Sequence, residues 1–315
     1  MKTSLKTWLS RLHRYSGLLS AEEMLYHWTG HSCVSILVLH RVTDEIPADG
    51  LTIGCARFRD LCRILAQHFH VVPLGEIFRL ARSGHPLPRR TVAITFDDCY
   101  RDNLDAAHVL AEHGLPATFF IPTAFVGTDH VFPWDRSLQR MPNLAWEDVR
   151  HMQQLGFEIG SHTVTHPDMG TISTEQVWHE LVESKAVLED RLGSPVRWLA
   201  YPFGGLDNFR ADCLPLLQQA GYEGGVSSYG GRIHRGMRSI ILRRVPVPSF
   251  SSNLLLEIYL SGCLRWYFDL KRCLGLSEKR LASWEGMNGD RLSATGRRRT
   301  IDADREVPQP IAGSR

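Results

Sequence analysis

Thr91-Val92-Ala93-Ile94-Thr95-Phe96-Asp97-Asp98-Cys99-Tyr100 is the stretch on which the reading of this chain turns. A largely apolar, β-branched run ends abruptly in two adjacent carboxylates. The pattern predicts a buried strand that delivers acidic groups to a pocket at its C-terminal end. Two readings of the pair stand side by side. Either one carboxylate holds a metal while its neighbour works on water, or both simply cap a helix over 101–113.

Upstream, Val34-Ser35-Ile36-Leu37-Val38-Leu39 reads as a second buried strand, followed directly by His40-Arg41-Val42. A histidine at a strand end invites a functional reading, although such a residue is more often a hydrogen-bonded structural one. Pro47, Gly50 and Gly54 mark a loop over 43–54, and Phe58, Leu61, Cys62, Leu65 and Phe69 recur with helical spacing.

Downstream, Leu104, Ala107, His108 and Ala111 predict a helix, and Ala117-Thr118-Phe119-Phe120-Ile121 the next buried strand. Strand, helix and strand at this spacing favour parallel βα units. The irregular stretch 125–145 carries Trp134, which either grips a sugar or lipid portion of a substrate or packs locally. A helix over 145–155 precedes the strand Phe157-Glu158-Ile159-Gly160-Ser161 and then His162-Thr163-Val164-Thr165-His166. Histidines four apart on a helical turn would present two nitrogens to one ion. Parallel βα folds gather the C-terminal ends of different strands around one pocket, so these histidines and the paired aspartates strengthen each other.

Ser173 and Gln176 form a capping box for a helix whose apolar side is Val177, Leu181, Leu188 and Leu192. Trp198-Leu199-Ala200-Tyr201 is a short strand opening into Pro202-Phe203-Gly204-Gly205, a turn able to expose a backbone amide. A late strand over 240–247 carries Arg243 and Arg244, and Leu254, Leu255, Ile258 and Tyr259 predict a final helix.

With 36 basic and 34 acidic residues among 315, the formal charge of +2 points to no nucleic-acid partner. The seven cysteines form no CxxC pair and read as thiols of a reducing compartment. Residues 1–32 hold Trp8, Leu9, Leu12, Tyr15 and Leu19 at roughly helical spacing among Lys2, Lys6, Arg11 and Arg14, with no apolar run of signal-peptide length. Such a segment either packs on the main domain or lies peripherally on an anionic membrane. The expected layout is this basic amphipathic segment at 1–32, a catalytic domain at 33–260, a helical extension at 261–287 and a disordered tail at 288–315.

Thr95-Phe96-Asp97-Asp98, Ser161-His162-Thr163-Val164-Thr165-His166 and Tyr201-Pro202-Phe203-Gly204 together resemble the polysaccharide deacetylases, carbohydrate esterases of the NodB-homology type. The resemblance covers about residues 34–250. It implies an α/β fold, a distorted (β/α) barrel with seven main strands, and a divalent metal on Asp98, His162 and His166, with zinc the first choice. It makes Asp97 the catalytic base and the Phe203 amide an oxyanion donor. No late Leu-x-His motif is present. The strand ending in Leu39-His40-Arg41-Val42 is similar to that of a rearranged branch, which makes His40 the general acid.

Two departures accompany the resemblance. Ala200 occupies the slot of an arginine that orients the catalytic aspartate, so Arg243 or Arg244 is expected to enter from the neighbouring strand. Cys99 replaces a glycine and reads as a passive thiol. Tyr201, Pro202, Trp134, Arg243 and Arg244 are the expected substrate-side residues. The implied activity is removal of N-acetyl groups from an amino sugar in an exopolysaccharide, a cell-envelope glycan or a lipid-linked precursor, in the cytoplasm at the inner membrane face. Deacylation or deformylation of another sugar amide or ester, and non-catalytic carbohydrate binding, are the alternatives.

Overall fold

A computed structural model describes residues 33–261 apart from 48, 137–140, 229–230, 238 and 248–252, together with residues 21, 24 and 25. The segments expected at 1–32, 261–287 and 288–315 otherwise lie outside the described residues.

The chain begins with β1 (Cys33–Leu39), whose residues from Val34 to Leu39 are all buried, as expected of a strand covered on both faces. Two short strands, β2 (Arg41–Val42) and β3 (Thr52–Ile53), pair with each other, so the end of the loop expected over 43–54 is a strand. Helix α1 (Cys55–His68) turns Phe58, Leu61, Cys62, Ile64 and Leu65 inward. Then come β4 (His70–Val71), α2 (Leu74–Arg82), β5 (Thr91–Phe96), α3 (Asp102–Glu112) and β6 (Thr118–Ile121). Helix α4 (Trp146–Gln154) leads to β7 (Glu158–Ser161), and α5 (Thr174–Leu192) to β8 (Trp198–Ala200). The capping box at the start of α5 is formed: Ser173 Oγ accepts from Gln176 N–H, and Gln176 Oε1 accepts from Ser173 N–H. The series closes with α6 (Leu214–Gln219), β9 (Gly224–Val226), β10 (Ile233–His234), β11 (Ile241–Leu242), β12 (Val245–Pro246) and α7 (Asn253–Ser261).

Strands β1, β5, β6, β7, β8, β9 and β11 follow one another in the sheet with parallel pairing throughout, and β12 pairs parallel with β1. The expected late strand is thus split. Its first half closes on β9, its second half on β1, and the break falls at Arg243–Arg244. This makes a nearly closed, distorted barrel of seven main positions.

Strand residues divide by parity, as a period of two requires. Leu37, Leu39, Val92, Ile94, Phe96, Phe119 and Ile121 belong to the larger apolar cluster with α1, α3 and α5. Val34, Ile36, Ala93, Phe120, Trp198, Ala200 and Val226 form the second, together with Leu74, Ile77 and Phe78 of α2. Phe78 stacks on Trp198 at 4.6 Å there. Gly160 is needed at this packing, since a Cβ would lie 2.5 Å from the Phe120 ring. Asp97 follows the parity of Ala93 and Thr95, the face of β5 turned toward this second cluster and not toward the helical layer.

Candidate active site

The parallel strands end at one side of the barrel, and Asp97 and Asp98 follow β5 there. Neither caps a helix: the residue preceding α3 is Arg101, and both aspartates are buried, 2% and 3% exposed. The backbone turns sharply, with φ of +75° at Asp98 and +52° at Cys99. Five of the six described non-glycine residues with positive φ are Asp98, Cys99, Thr163, His166 and Phe203, so the strained backbone is concentrated in this pocket. It also explains why the resemblance expects glycine at position 99. The Cys99 thiol is buried, and burial followed by the neighbouring Asp98 charge pushes it well above its ordinary pKa, leaving it un-ionised.

His162 and His166 follow β7, but not on a helical turn. The expected turn is replaced by an irregular loop with φ of +68° at Thr163 and +56° at His166. Its amides are taken up from outside: Glu180 of α5 accepts from Val164 N–H at 2.7 Å, Thr165 N–H at 3.0 Å and the Thr165 hydroxyl at 2.6 Å. These external acceptors outcompete the internal bonds of a helical turn. Glu180→Gln replaces one acceptor oxygen by a donor facing donors, and is expected to weaken divalent-ion binding roughly tenfold or more, as read by competition with a chromophoric chelator.

The loop brings the Nε2 atoms of His162 and His166 to 3.2 Å and 3.3 Å from Asp98 Oδ1, and all three side chains are buried. Donors about 2.0–2.1 Å from one ion lie about 3.3–3.4 Å apart at tetrahedral angles, so the spacing fits a shared cation. The hydrogen-bond pattern agrees. His162 Nδ1 lies 2.6 Å from the Ala200 carbonyl, which can only accept, so the proton is on Nδ1 and the Nε2 lone pair faces Asp98. Asp98 Oδ1 is a buried oxygen with no hydrogen-bond partner. Two lone pairs face each other at this distance only with a proton or cation between them. For His166 burial prevails and lowers its pKa, which keeps the imidazole in its ligating form.

Arg244 settles the orientation of Asp97. It is 0% exposed and bonds the carboxylate twice, Nη1 to Oδ1 at 2.7 Å and Nη2 to Oδ2 at 2.6 Å. Its remaining N–H groups donate to Thr95 Oγ1, the Ser227 carbonyl and Ser228 Oγ, so all five donors are used. Burial again pushes the Asp97 carboxyl up, but Arg244, then His162, bring it below its ordinary value. Arg243 goes elsewhere: its side chain lies along Gly231, whose Cβ would come 2.5 Å from Arg243 Cδ. Gly204 backs the same assembly. A Cβ there would sit 2.3 Å from Ser228 N at φ of +62°, and Gly204→Ala is expected to cost more than about 1 kcal/mol in urea unfolding.

His40 arrives beside Asp97 from β1, with Nε2 4.0 Å from Asp97 Oδ2. Burial lowers its pKa, with Asp98 and Asp97 pulling the other way. Phe203 stands in the turn after β8 at φ of +61°, its ring 5.1 Å from that of His166. Its amide has no hydrogen-bond acceptor among the described residues. Trp134 is half-buried, 5.4 Å from His166 and 5.8 Å from Phe203 between ring centres, and is stacked on Phe132. Its indole N–H donates to Tyr100, whose hydroxyl donates to Asp135. Tyr201 is buried, and its hydroxyl holds the Gly204 and Gly205 carbonyls of the turn that begins at Pro202.

Two participants escaped the sequence reading. The Ala200 carbonyl leaves no signal in a residue type. Glu180 did leave one, an acid on the apolar side of α5 between Val177 and Leu181.

Residues 84–225 match the family model described as polysaccharide deacetylase. Over these residues the chain carries the polysaccharide deacetylase domain. Among its relatives, YxkH of Bacillus subtilis (strain 168) is 28% identical over 174 residues, 55% of this chain and 57% of that protein. The chitooligosaccharide deacetylase of Sinorhizobium fredii (strain NBRC 101917 / NGR234) is 33% identical over 136 residues, 42% of this chain and 54% of that protein. The chain thus spans a little over half the length of these curated relatives. Among solved structures, the Streptococcus pyogenes deacetylase PplD in complex with acetate shares the fold, with a TM-score of 0.61 and 22% identity, covering 71% of this chain and 97% of that one. The family match leaves out β1 with His40 and the β11–β12 break with Arg244. Both groups that flank Asp97 therefore come from outside the matched region.

Proposed function

We propose that this protein is a divalent-metal-dependent hydrolase that removes the acetyl group from an N-acetylated amino sugar. The observation that carries the reading is the buried Asp98, His162 and His166 triad with Asp97 beside it, held by Arg244 and facing His40. An ion held by the triad supplies Lewis-acid chemistry, polarising a carbonyl and easing the ionisation of water.

The chain's own groups supply the rest. Asp97 accepts the proton of the attacking water, and the Arg244 fork keeps both its oxygens fixed while it does so. The Phe203 amide donates to the oxyanion, a service that costs no reorganisation because the turn already holds it. His40 gives a proton to the departing amine. Trp134 and the ring of Phe203 form an aromatic wall beside His166 that suits the apolar face of a sugar.

Imidazole and carboxylate donors favour zinc, and also accept cobalt, nickel or iron. The relatives named as chitooligosaccharide deacetylases support an N-acetylated glycan as substrate. The basic-aromatic pattern of residues 1–32 supports work at the inner membrane face, on a lipid-linked sugar or a precursor of exopolysaccharide or cell-envelope glycan. Unpaired Cys55, Cys62, Cys99 and Cys213 support a cytoplasmic setting.

The deciding experiment screens N-acetylated oligosaccharides and lipid-linked sugars with acetate release as the readout, before and after treatment with a chelator. Acetate release that stops on chelation and returns with zinc is the expected result. Release of formate or a longer acyl group would reassign the substrate. Metal binding with no acyl group released across the panel would leave a carbohydrate-binding protein. Recovery wholly in the soluble fraction, with no binding to anionic vesicles, would remove the membrane-face location.

A further inference from the structure

His40 sits one residue past the end of a ladder. β1 and β5 pair up to Leu39 opposite Phe96, and the last rung is Asp97 N–H donating to the Leu39 carbonyl at 3.0 Å. Beyond it the chain leaves β5, because β2 pairs with β3 instead. No rung of the barrel sheet sets how His40 projects toward Asp97. Its Nε2 stands 4.0 Å from Asp97 Oδ2, beyond hydrogen-bond range. A side chain asked to deliver a proton needs a tighter hold than that.

The hold comes from the first turn of α3. Asn103, 1% exposed, donates from Nδ2 to the His40 carbonyl at 2.6 Å. The same nitrogen donates to Asp102 Oδ1 at 2.8 Å, which orients the amide. Asp102 Oδ2 in turn accepts from Val42 N–H at 3.1 Å. Two adjacent side chains thus grip a carbonyl and an amide on either side of Arg41. Only an amide fits at 103: it has two N–H groups for two acceptors, where a carboxylate would set lone pairs against the carbonyl. Asn103 lies five residues after Asp98, so this clamp ties the separate strand of His40 to the segment that carries the base and a metal ligand.

We propose that Asn103, oriented by Asp102, is a positioning residue for His40, fixing the imidazole at its working distance from Asp97. The proposal rests on the reading of His40 as the proton donor. It gives this chain a solution to a problem of its topology, since its histidine comes from a strand outside the matched family region.

The test is a double-mutant cycle on the zinc-loaded full chain. Asn103→Leu is expected to lower kcat roughly 10- to 100-fold, the scale of a small misplacement of a reacting group, with KM and zinc affinity unchanged. In the His40→Ala background it is expected to cost no further turnover. An equal loss in both backgrounds would overturn the proposal, because a merely structural role does not depend on His40. Asn103→Ser takes its place in the cycle if the leucine variant does not fold.

A second readout does not need turnover. The histidine NMR signal absent from His40→Ala is expected to shift in the Asn103 variant, while those of His162 and His166 stay in place. An unmoved His40 signal would overturn the clamp. A shifted His40 signal in the Asn103 variant, together with a wild-type protein that releases no acyl group, would instead overturn the activity reading and leave the clamp standing.

Discussion

Asp97→Asn is expected to retain the divalent ion and lose turnover by about 10²–10⁴-fold, whereas Asp98→Asn is expected to lose the ion itself. The contrast follows from geometry. Asp98 Oδ1 is the oxygen within 3.2 Å and 3.3 Å of the two histidine nitrogens, and no protein donor claims it. An amide in its place presents a neutral oxygen at best, or an N–H group aimed at the ion. Asp97 has both oxygens on Arg244 and lies outside the triad, so its amide variant leaves the three donors intact. What it loses is the capacity to take a proton. Metal content by atomic emission and acetate release on the same samples read the two effects separately. An Asp97→Asn protein with normal turnover would remove the base from the mechanism, and an Asp98→Asn protein with a full equivalent of tightly bound metal would dissolve the triad.

Arg244→Met is expected to cost about 3–5 kcal/mol of folding stability, because it leaves the Asp97 charge buried without its partner. Arg244 reaches Asp97, Thr95, Ser227 and Ser228 at once, so its loss also frees the join between β5 and the segment after β9. Turnover is expected to fall with it, since the base loses the fork that fixes its two oxygens. Arg244→Lys is expected not to restore either property: one ammonium has three donors and no planar fork. Urea unfolding gives the stability difference. A loss below about 1 kcal/mol, the size of an exposed pair, would show that the pair contributes far less than its burial implies. Arg243→Met is the matched control, because that side chain runs along Gly231 and not to Asp97.

Local patterning was enough for most of the elements. Alternation and apolar runs placed β1, β5, β6, β7 and β8, and helical spacing placed α1, α3, α4, α5 and the final α7, because burial of one face is written in residue type at a fixed period. The acidic pair after β5 and the histidines after β7 were legible for a related reason: charged and ligating groups stood directly after strands too apolar to carry them. The histidine loop was read wrongly as a helical turn. Its shape depends on Glu180, fourteen residues beyond His166, and spacing within the loop holds no information about that carboxylate.

Tertiary structure alone decided between Arg243 and Arg244. Adjacent residues point to opposite sides of an extended chain, so the choice rests on where the strand 241–246 breaks, and the break is set when β11 closes on β9 and β12 on β1. It likewise brought the Ala200 carbonyl to His162, a contact any residue type at 200 would offer. The stretch from Thr91 to Asp98 thus declared a strand, a pocket and two carboxylates by composition. The roles that the family resemblance implies for those carboxylates take their geometry from barrel closure, which puts two imidazoles against Asp98 and a guanidinium against Asp97.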